Sequence, residues 1–173
     1  FIFGGQGNDT IFGGGLGDKL TGDAVGLTGD DVIVGDQGSA SATNIASFIS
    51  SVTGSSGDDL ISGSGGNDSV IAGEGDDQVS GDGVIAGSVI TRTLLGVPFD
   101  ATLDPNAHGS DILLGDNASI NLSTGVAVLI QSTNPTSGGS DTIYGDADDD
   151  ILVGEAKADN LDGGNAQDLI FGD

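Results

Sequence analysis

Cysteine, methionine and tryptophan are absent from the 173 residues, and only three residues are basic. Without cysteine, neither a disulfide framework nor a thiolate metal site can be built. Three Lys and Arg against 27 Asp and Glu leave a net charge of −24. That balance excludes nucleic acid and anionic membrane as natural partners, because both need cationic side chains against their phosphates. It points to cations instead. No run of 18 apolar residues exists, so membrane insertion is not expected. HExxH, GxSxG and GK[ST] signatures are all missing, so no enzyme is expected. No signal peptide is recognisable, and the chain starts (FIFGG) and stops (FGD) in mid-pattern; residues 1–173 read as one segment of a longer chain. Few aromatics and 33 glycines would fit disorder, but the hydrophobic 36% is placed with a period.

That period is nine. Gly63 to Ser80 reads as GSGGNDSVI followed by AGEGDDQVS, with Asp68 over Asp77 and Val70 over Val79. At about 100° per residue, nine steps would put the two valines on opposite faces of a helix, so a helix is excluded. Nine residues can instead make a six-residue turn and a three-residue strand, whose middle side chain points inward. The pattern runs end to end as eleven units. All eleven carry Asp at the sixth position: Asp9, Asp18, Asp31, Asp59, Asp68, Asp77, Asp111, Asp141, Asp150, Asp159 and Asp168. Each has an aliphatic two residues later, from Ile11 and Leu20 to Leu161 and Ile170. If units alternate between two sheets, odd units turn apolar residues outward (Val34, Leu114, Val153, Phe171) and even units mostly polar ones. The apolar outer face then calls for cover, by the chain's own insertions, by self-association or by a partner.

The unit opened by Gly22-Asp23 has a few extra residues, and three units are much lengthened, by insertions at about 37–55, 83–107 and 117–138. In the last, ASINL (Ala118–Leu122) and VAVLIQ (Val126–Gln131) flank Ser123-Thr124-Gly125, a hairpin signal. SVITRTLL (Ser88–Leu95) and PFDATL (Pro98–Leu103) around Gly96 suggest a second hairpin, and Asn44–Val52 fits either a strand or a short helix.

Adjacent strands of a parallel sheet lie about 4.8 Å apart, so carboxylates stacked at that spacing repel by roughly 1 kcal/mol even in water. A column of Asp on each edge therefore needs a cation between rungs. Oxygen ligands alone suit Ca²⁺ rather than Zn²⁺ or a still-hydrated Mg²⁺.

The line Gly-Gly-x-Gly-x-Asp-x-aliphatic-x, met in full by GGQGNDTIF (Gly4–Phe12), resembles the RTX (repeats-in-toxin) nonapeptide. The resemblance implies an all-β, right-handed parallel β-roll, a β-helix solenoid with hairpins inserted in its turns. It also implies several Ca²⁺ ions, roughly six to nine, between loops one coil apart. Their ligands would be the sixth-position carboxylates and the carbonyls of the Gly-rich turns, here around Gly5, Gly7, Gly63, Gly65, Gly73 and Gly75. Asp23, Asp36, Asp82, Asp116 and Asp146 replace the second glycine of their units, and four of them open units with extra residues. Either a turn cap or an extra metal ligand fits them. Leu16, Asp148, Lys157 and Ala166 replace the fourth glycine, where a Cβ strains a left-handed turn.

Other motifs carry less. Asp146-x-Asp148-x-Asp150 opens like an EF-hand loop, but Ile151 and Lys157 stand where Gly and Glu belong. His108, the one histidine, reads as a turn residue, and the sequons at Asn8 and Asn67 as turn asparagines. The resemblance implies type I secretion and a secreted, extracellular or surface-attached parent protein, folding on calcium after export. An adhesin, surface-layer or fibre-forming protein is the leading reading. The calcium module of a secreted hydrolase is the alternative, and a carbohydrate- or ice-binding module a weaker third.

Overall fold

A computed structural model describes residues 1–40, 47–50, 56–86, 89–91, 107–123 and 126–173. Each nonapeptide contributes one short strand, and successive strands go to opposite sheets. Sheet one stacks β1 (Ile2–Phe3), β3 (Lys19–Thr21), β7 (Leu60–Ser62), β9 (Gln78–Ser80), β15 (Thr142–Tyr144) and β17 (Asn160–Asp162). Sheet two stacks β2 (Thr10–Phe12), β4 (Val32–Val34), β8 (Ser69–Ile71), β12 (Ile112–Leu114), β16 (Ile151–Val153) and β18 (Leu169–Phe171). Every pairing within both sheets is parallel and without slip, as in Ile11↔Ile33↔Val70↔Leu113↔Leu152↔Ile170. The fold is an all-β parallel roll.

The register follows from side-chain alternation. In a strand of three, one residue points in and two point out, so a one-residue slip would turn the aliphatic to solvent and the Asp column out of line. Ile11, Leu20, Ile33, Ile61, Val70, Val79, Leu113, Ile143 and Leu152 form one buried ribbon between the sheets, with Ile2 and Leu161 partly buried at its ends. The core is one aliphatic per strand wide.

The insertions form a second layer. β5 (Gly38–Ala40) and β6 (Ser47–Ser50) leave the first insertion, and β13 (Ala118–Ser123) and β14 (Val126–Ser132) the third; together they make a four-stranded antiparallel sheet in the order β14-β13-β6-β5. The hairpin expected around residues 123–125 is thus present, its tip lying outside the described residues. Of the stretch read as strand or helix, residues 47–50 are strand; 44–46 and 51–52 lie outside the description. The second insertion adds a pairing that was not expected. Its described strand β11 (Val89–Thr91) pairs back onto β10 (Val84–Ala86), and the expected partner 98–103 lies outside the described residues.

The four-stranded sheet covers the outer face of sheet two. Val32, Ile71 and Leu114 turn outward there and are buried against Ala118 and Ile120 of β13, with Leu122, Ala127, Ile130 and Val153 around them. Val34 and Leu114 are fully buried, as expected of an apolar face that needs cover, while Leu169 and Phe171 on the last rung stay about half exposed (51% and 52%). The polar outer face of sheet one is covered as well. The β10–β11 hairpin lies against β7 and β9, and Thr21, Ser62 and Ser80 are buried in a row of hydroxyls. The Ser62 hydroxyl donates to the carbonyl of Gly83, and the Gly83 amide to Ser80 Oγ at 2.7 Å.

Candidate metal centres along the two edges

Turns that lead from sheet one to sheet two stack on one edge of the roll, and the return turns stack on the other. Each sixth-position Asp comes directly before its strand, so stacking the strands stacks the aspartates. On the first edge the Asp9 amide donates to Asp31 Oδ1 (2.7 Å), Asp31 to Asp68 (2.7 Å), Asp68 to Asp111 (2.8 Å), Asp111 to Asp150 (2.8 Å) and Asp150 to Asp168 (3.1 Å). On the second edge Asp18 donates to Asp59 (2.7 Å), Asp59 to Asp77 (2.7 Å), Asp77 to Asp141 (2.9 Å) and Asp141 to Asp159 (2.9 Å). The structure therefore brings all eleven into two columns. The amide ladder is a role the repeat pattern did not disclose.

Every column carboxylate except those of the first rungs, Asp9 and Asp18, gives one oxygen to the ladder, and in most of them the other is left over. Oδ2 of Asp9, Asp31, Asp59, Asp68, Asp77, Asp111, Asp141, Asp150 and Asp159 is buried without a hydrogen-bond partner. A buried ionised oxygen without a partner costs several kcal/mol, roughly, unless something cationic meets it. Except for that of Asp77, whose unit opens on Ala72, these oxygens lie where the first glycine of the unit lacks a side chain. A Cβ on Gly4 would come within 2.7 Å of both Asp9 Oδ2 and the Gly22 carbonyl oxygen one coil on. Gly22 (towards the Gly63 carbonyl) and Gly145 (towards that of Gly163) repeat the arrangement, each at 2.6 Å, with Asp31 and Asp150 closing in. Carboxylate and carbonyl oxygens thus converge on one space. Among the first-position residues, Ala72 alone carries a methyl group, which joins the apolar core.

Electrostatics say the same. Burial pushes Asp31, Asp59 and Asp150 up to about 7, Asp141 to about 8, and Asp68 and Asp77 to about 9. The ladder amides pull each of these down and neighbouring carboxylates push them up again. Asp111 is raised by burial first and then by Asp68 and Asp82, and Asp159 is raised chiefly by burial. So many carboxylates cannot all ionise here without counter-charge. Among the described residues no three acidic or histidine side chains converge on one point. The columns offer unpartnered carboxylate oxygens together with turn carbonyls, a hard, all-oxygen set that fits Ca²⁺.

The glycines named from the sequence divide. Gly5, Gly7, Gly73 and Gly75 take φ of +115°, +98°, +116° and +154°, the left-handed region. Gly63 makes room for Asp68 Oδ2, and the Gly65 carbonyl accepts from the Gly29 amide at 2.8 Å. Leu16, Asp148, Lys157 and Ala166 are all left-handed, at +77°, +67°, +73° and +79°, so the strain expected of them is present. Of the second-position acids, Asp36 and Asp82 each accept one amide of the next rung, from Glu74 (2.7 Å) and Ala147 (3.2 Å). Asp116 accepts two, from Gly139 (2.7 Å) and Ala156 (2.8 Å). Asp146 is left-handed at +75° and accepts from the Ser80 hydroxyl. His108 is exposed, and its backbone carbonyl accepts from the Gly66 amide. Sequence reasoning missed a further ladder at the fifth position. There Asn8, Asp30 and Asn67 accept in turn from the amides of Asp30, Asn67 and Ser110, at 3.1, 3.0 and 2.9 Å.

Parallel rungs, edge columns of aspartate and glycine cradles define a calcium-binding β-roll. The family model of the RTX calcium-binding nonapeptide repeat (four copies) matches residues 1–20, 17–39, 53–83, 136–156 and 144–173, and the chain belongs to that family. No curated protein and no solved structure matches it. RTX nonapeptide repeats bind Ca²⁺, and this chain is a calcium-binding structural segment.

Proposed function

We propose that the segment is a calcium-set stiffener within a secreted or cell-surface protein, an adhesin, surface-layer or fibre-forming protein, and that it folds as it takes up calcium outside the cell. The ligands are the two Asp columns together with the carbonyls of the glycine turns. The observation that carries the reading is the set of nine sixth-position carboxylate oxygens, buried and unpartnered. Without cations these columns repel, and a core one aliphatic wide cannot offset the repulsion together with the chain entropy. With millimolar calcium each rung is fastened to the next, so metal binding and folding are one event. The two-layer architecture favours a load-bearing role over the calcium module of a hydrolase, since a module serving secretion alone gains nothing from a second sheet.

Far-UV circular dichroism of the purified chain, chelated and then reloaded with Ca²⁺, tests this together with an ion count by native mass spectrometry. The β signal should be lost on chelation, return on reloading, and be accompanied by several bound ions. A chelated chain with an unchanged spectrum and thermal midpoint would overturn the coupling. A folded chain with no bound calcium would overturn the site.

A further inference from the structure

We propose that three of the four lengthened rungs hold calcium through an extra carboxylate, Asp23, Asp36 or Asp82, which takes the place of a turn carbonyl where the extra residues begin. This rests on the Asp columns being calcium ligands, and adds sites of a different make to them.

The regular turn passes its second residue through the left-handed region, as at Gly5, Gly14, Ser64, Gly73, Glu155 and Gly164. Asp23, Asp36, Asp82 and Asp116 are not in that region, so an inserted rung cannot present the same backbone turn to an ion. A carboxylate stands there instead, and it is deeply buried: Asp23 is 2% exposed, Asp36 3% and Asp82 5%. Asp36 and Asp82 are each anchored to the next rung through Oδ2, leaving Oδ1 buried with no partner. The anchored carboxylate of Asp36 reaches into the following turn, where a Cβ on Gly73 would lie 2.6 Å from its Oδ2. Neither oxygen of Asp23 makes a hydrogen bond of good geometry, the nearest donor being the Gly7 amide.

Each of these acids also adjoins the Asp column of its own edge. Burial raises all three, and to this is added at Asp23 the charge of Asp9, at Asp36 those of Glu74 and Asp18, and at Asp82 those of Asp146 and Asp150. At Asp82 the neighbouring column acid, Asp150, is itself buried with Oδ2 left over, and at Asp23 the Oδ2 of Asp9 is likewise buried and unpartnered; buried carboxylate oxygens so placed make a cation site rather than a water site. A water can satisfy lone pairs, but it cannot offset the charge. Asp116 is the internal contrast. It is fully buried at the root of the third insertion, yet both its oxygens already accept backbone amides. It is a cap.

The test compares five variants of the whole chain, chelated and reloaded with Ca²⁺ alone: Asp23→Asn, Asp36→Asn, Asp82→Asn, Asp116→Asn and Asp68→Asn. Native mass spectrometry counts ions, a calcium titration reads the binding steps, and circular dichroism at saturating calcium confirms the fold. Each of the first three should lose one ion or weaken one step by about tenfold or more, while Asp116→Asn keeps the wild-type count. If those three keep every ion while Asp68→Asn loses one, the proposal fails and the Asp columns stand. If Asp68→Asn also keeps every ion, the columns themselves are not ligands. Loss of an ion in Asp116→Asn would overturn the distinction between cap and ligand. Should Asp36→Asn or Asp82→Asn fail to fold, Asp23→Asn carries the test, because the asparagine oxygen can still accept from the one nearby donor, the Gly7 amide.

Discussion

An aspartate has two oxygens, and in this roll they have different duties: Oδ1 ties the rung to its neighbour's amide, and Oδ2 faces the space left by a glycine. The first glycine is as much a part of the centre as the acid. Gly22→Ala should place a methyl group on Asp31 Oδ2 and close to the Gly63 carbonyl. One calcium ion should be lost, and the calcium-loaded state destabilised by about 1–3 kcal/mol, the range for overpacking; an ion count and a thermal melt check both. Lys157→Gly should act in the opposite sense. Releasing a left-handed Cβ gains about 1–2 kcal/mol, against roughly 0.5–1 kcal/mol of added chain entropy. It also removes the positive charge that acts on Asp116. The thermal midpoint in calcium and the calcium affinity should both rise, and an unchanged titration would show that Lys157 does not bear on the ion. The sixth-position Asp was legible because it recurs every nine residues. The ladder was not, because an amide and a carboxylate 18 to 64 residues apart meet only once the rungs are stacked.

At the scale of elements, the roll and its cover depend on different information. Strand, turn and register of the roll follow from the repeat, and the odd and even units separate into two sheets as the pattern implies. The cover has no repeat. Nothing in residues 37–55 and 117–138 marks them as partners, and the antiparallel register Ser119↔Ile49 to Asn121↔Ser47 is set by their roots being on the same edge. The need for cover was readable all the same, from Val34 and Leu114 pointing outward. Ile120 is the central contact, fully buried among Val32, Ile71 and Leu114. Ile120→Ala should cost about 2–5 kcal/mol in the calcium-loaded state by emptying that space, while leaving the number of bound ions unchanged. A melt that does not move would mean that the second layer adds nothing to the roll.

For the whole molecule, calcium and protons compete for the same oxygens. In the metal-free chain the column carboxylates are raised to about 7–9 in the folded state, against about 3.9 when unfolded. A raised carboxylate means that the folded state binds more protons. Its stabilising contribution is therefore complete below about pH 4 and is lost as pH rises through the folded values. The chelated chain should regain β signal near pH 5 and lose it by pH 8 or 9. The calcium-loaded chain should behave in the reverse sense, releasing ions as acid protonates their ligands. Circular dichroism across pH, with chelator and with calcium, checks both signs; a chelated chain equally unfolded at pH 5 and pH 8 would count against the burial of these acids.

The pairing of β6 with β13 also sets a timetable. A plain solenoid can add rungs one at a time, since each touches only its neighbours. Here Ser47 must meet Asn121, so the second layer cannot close until the chain between them is available, from whichever end it arrives. Contacts of such long sequence separation are slow to form. Calcium uptake should accordingly show two kinetic phases, a fast one as rungs stack and a slower one as the outer sheet closes over Ile71 and Leu114.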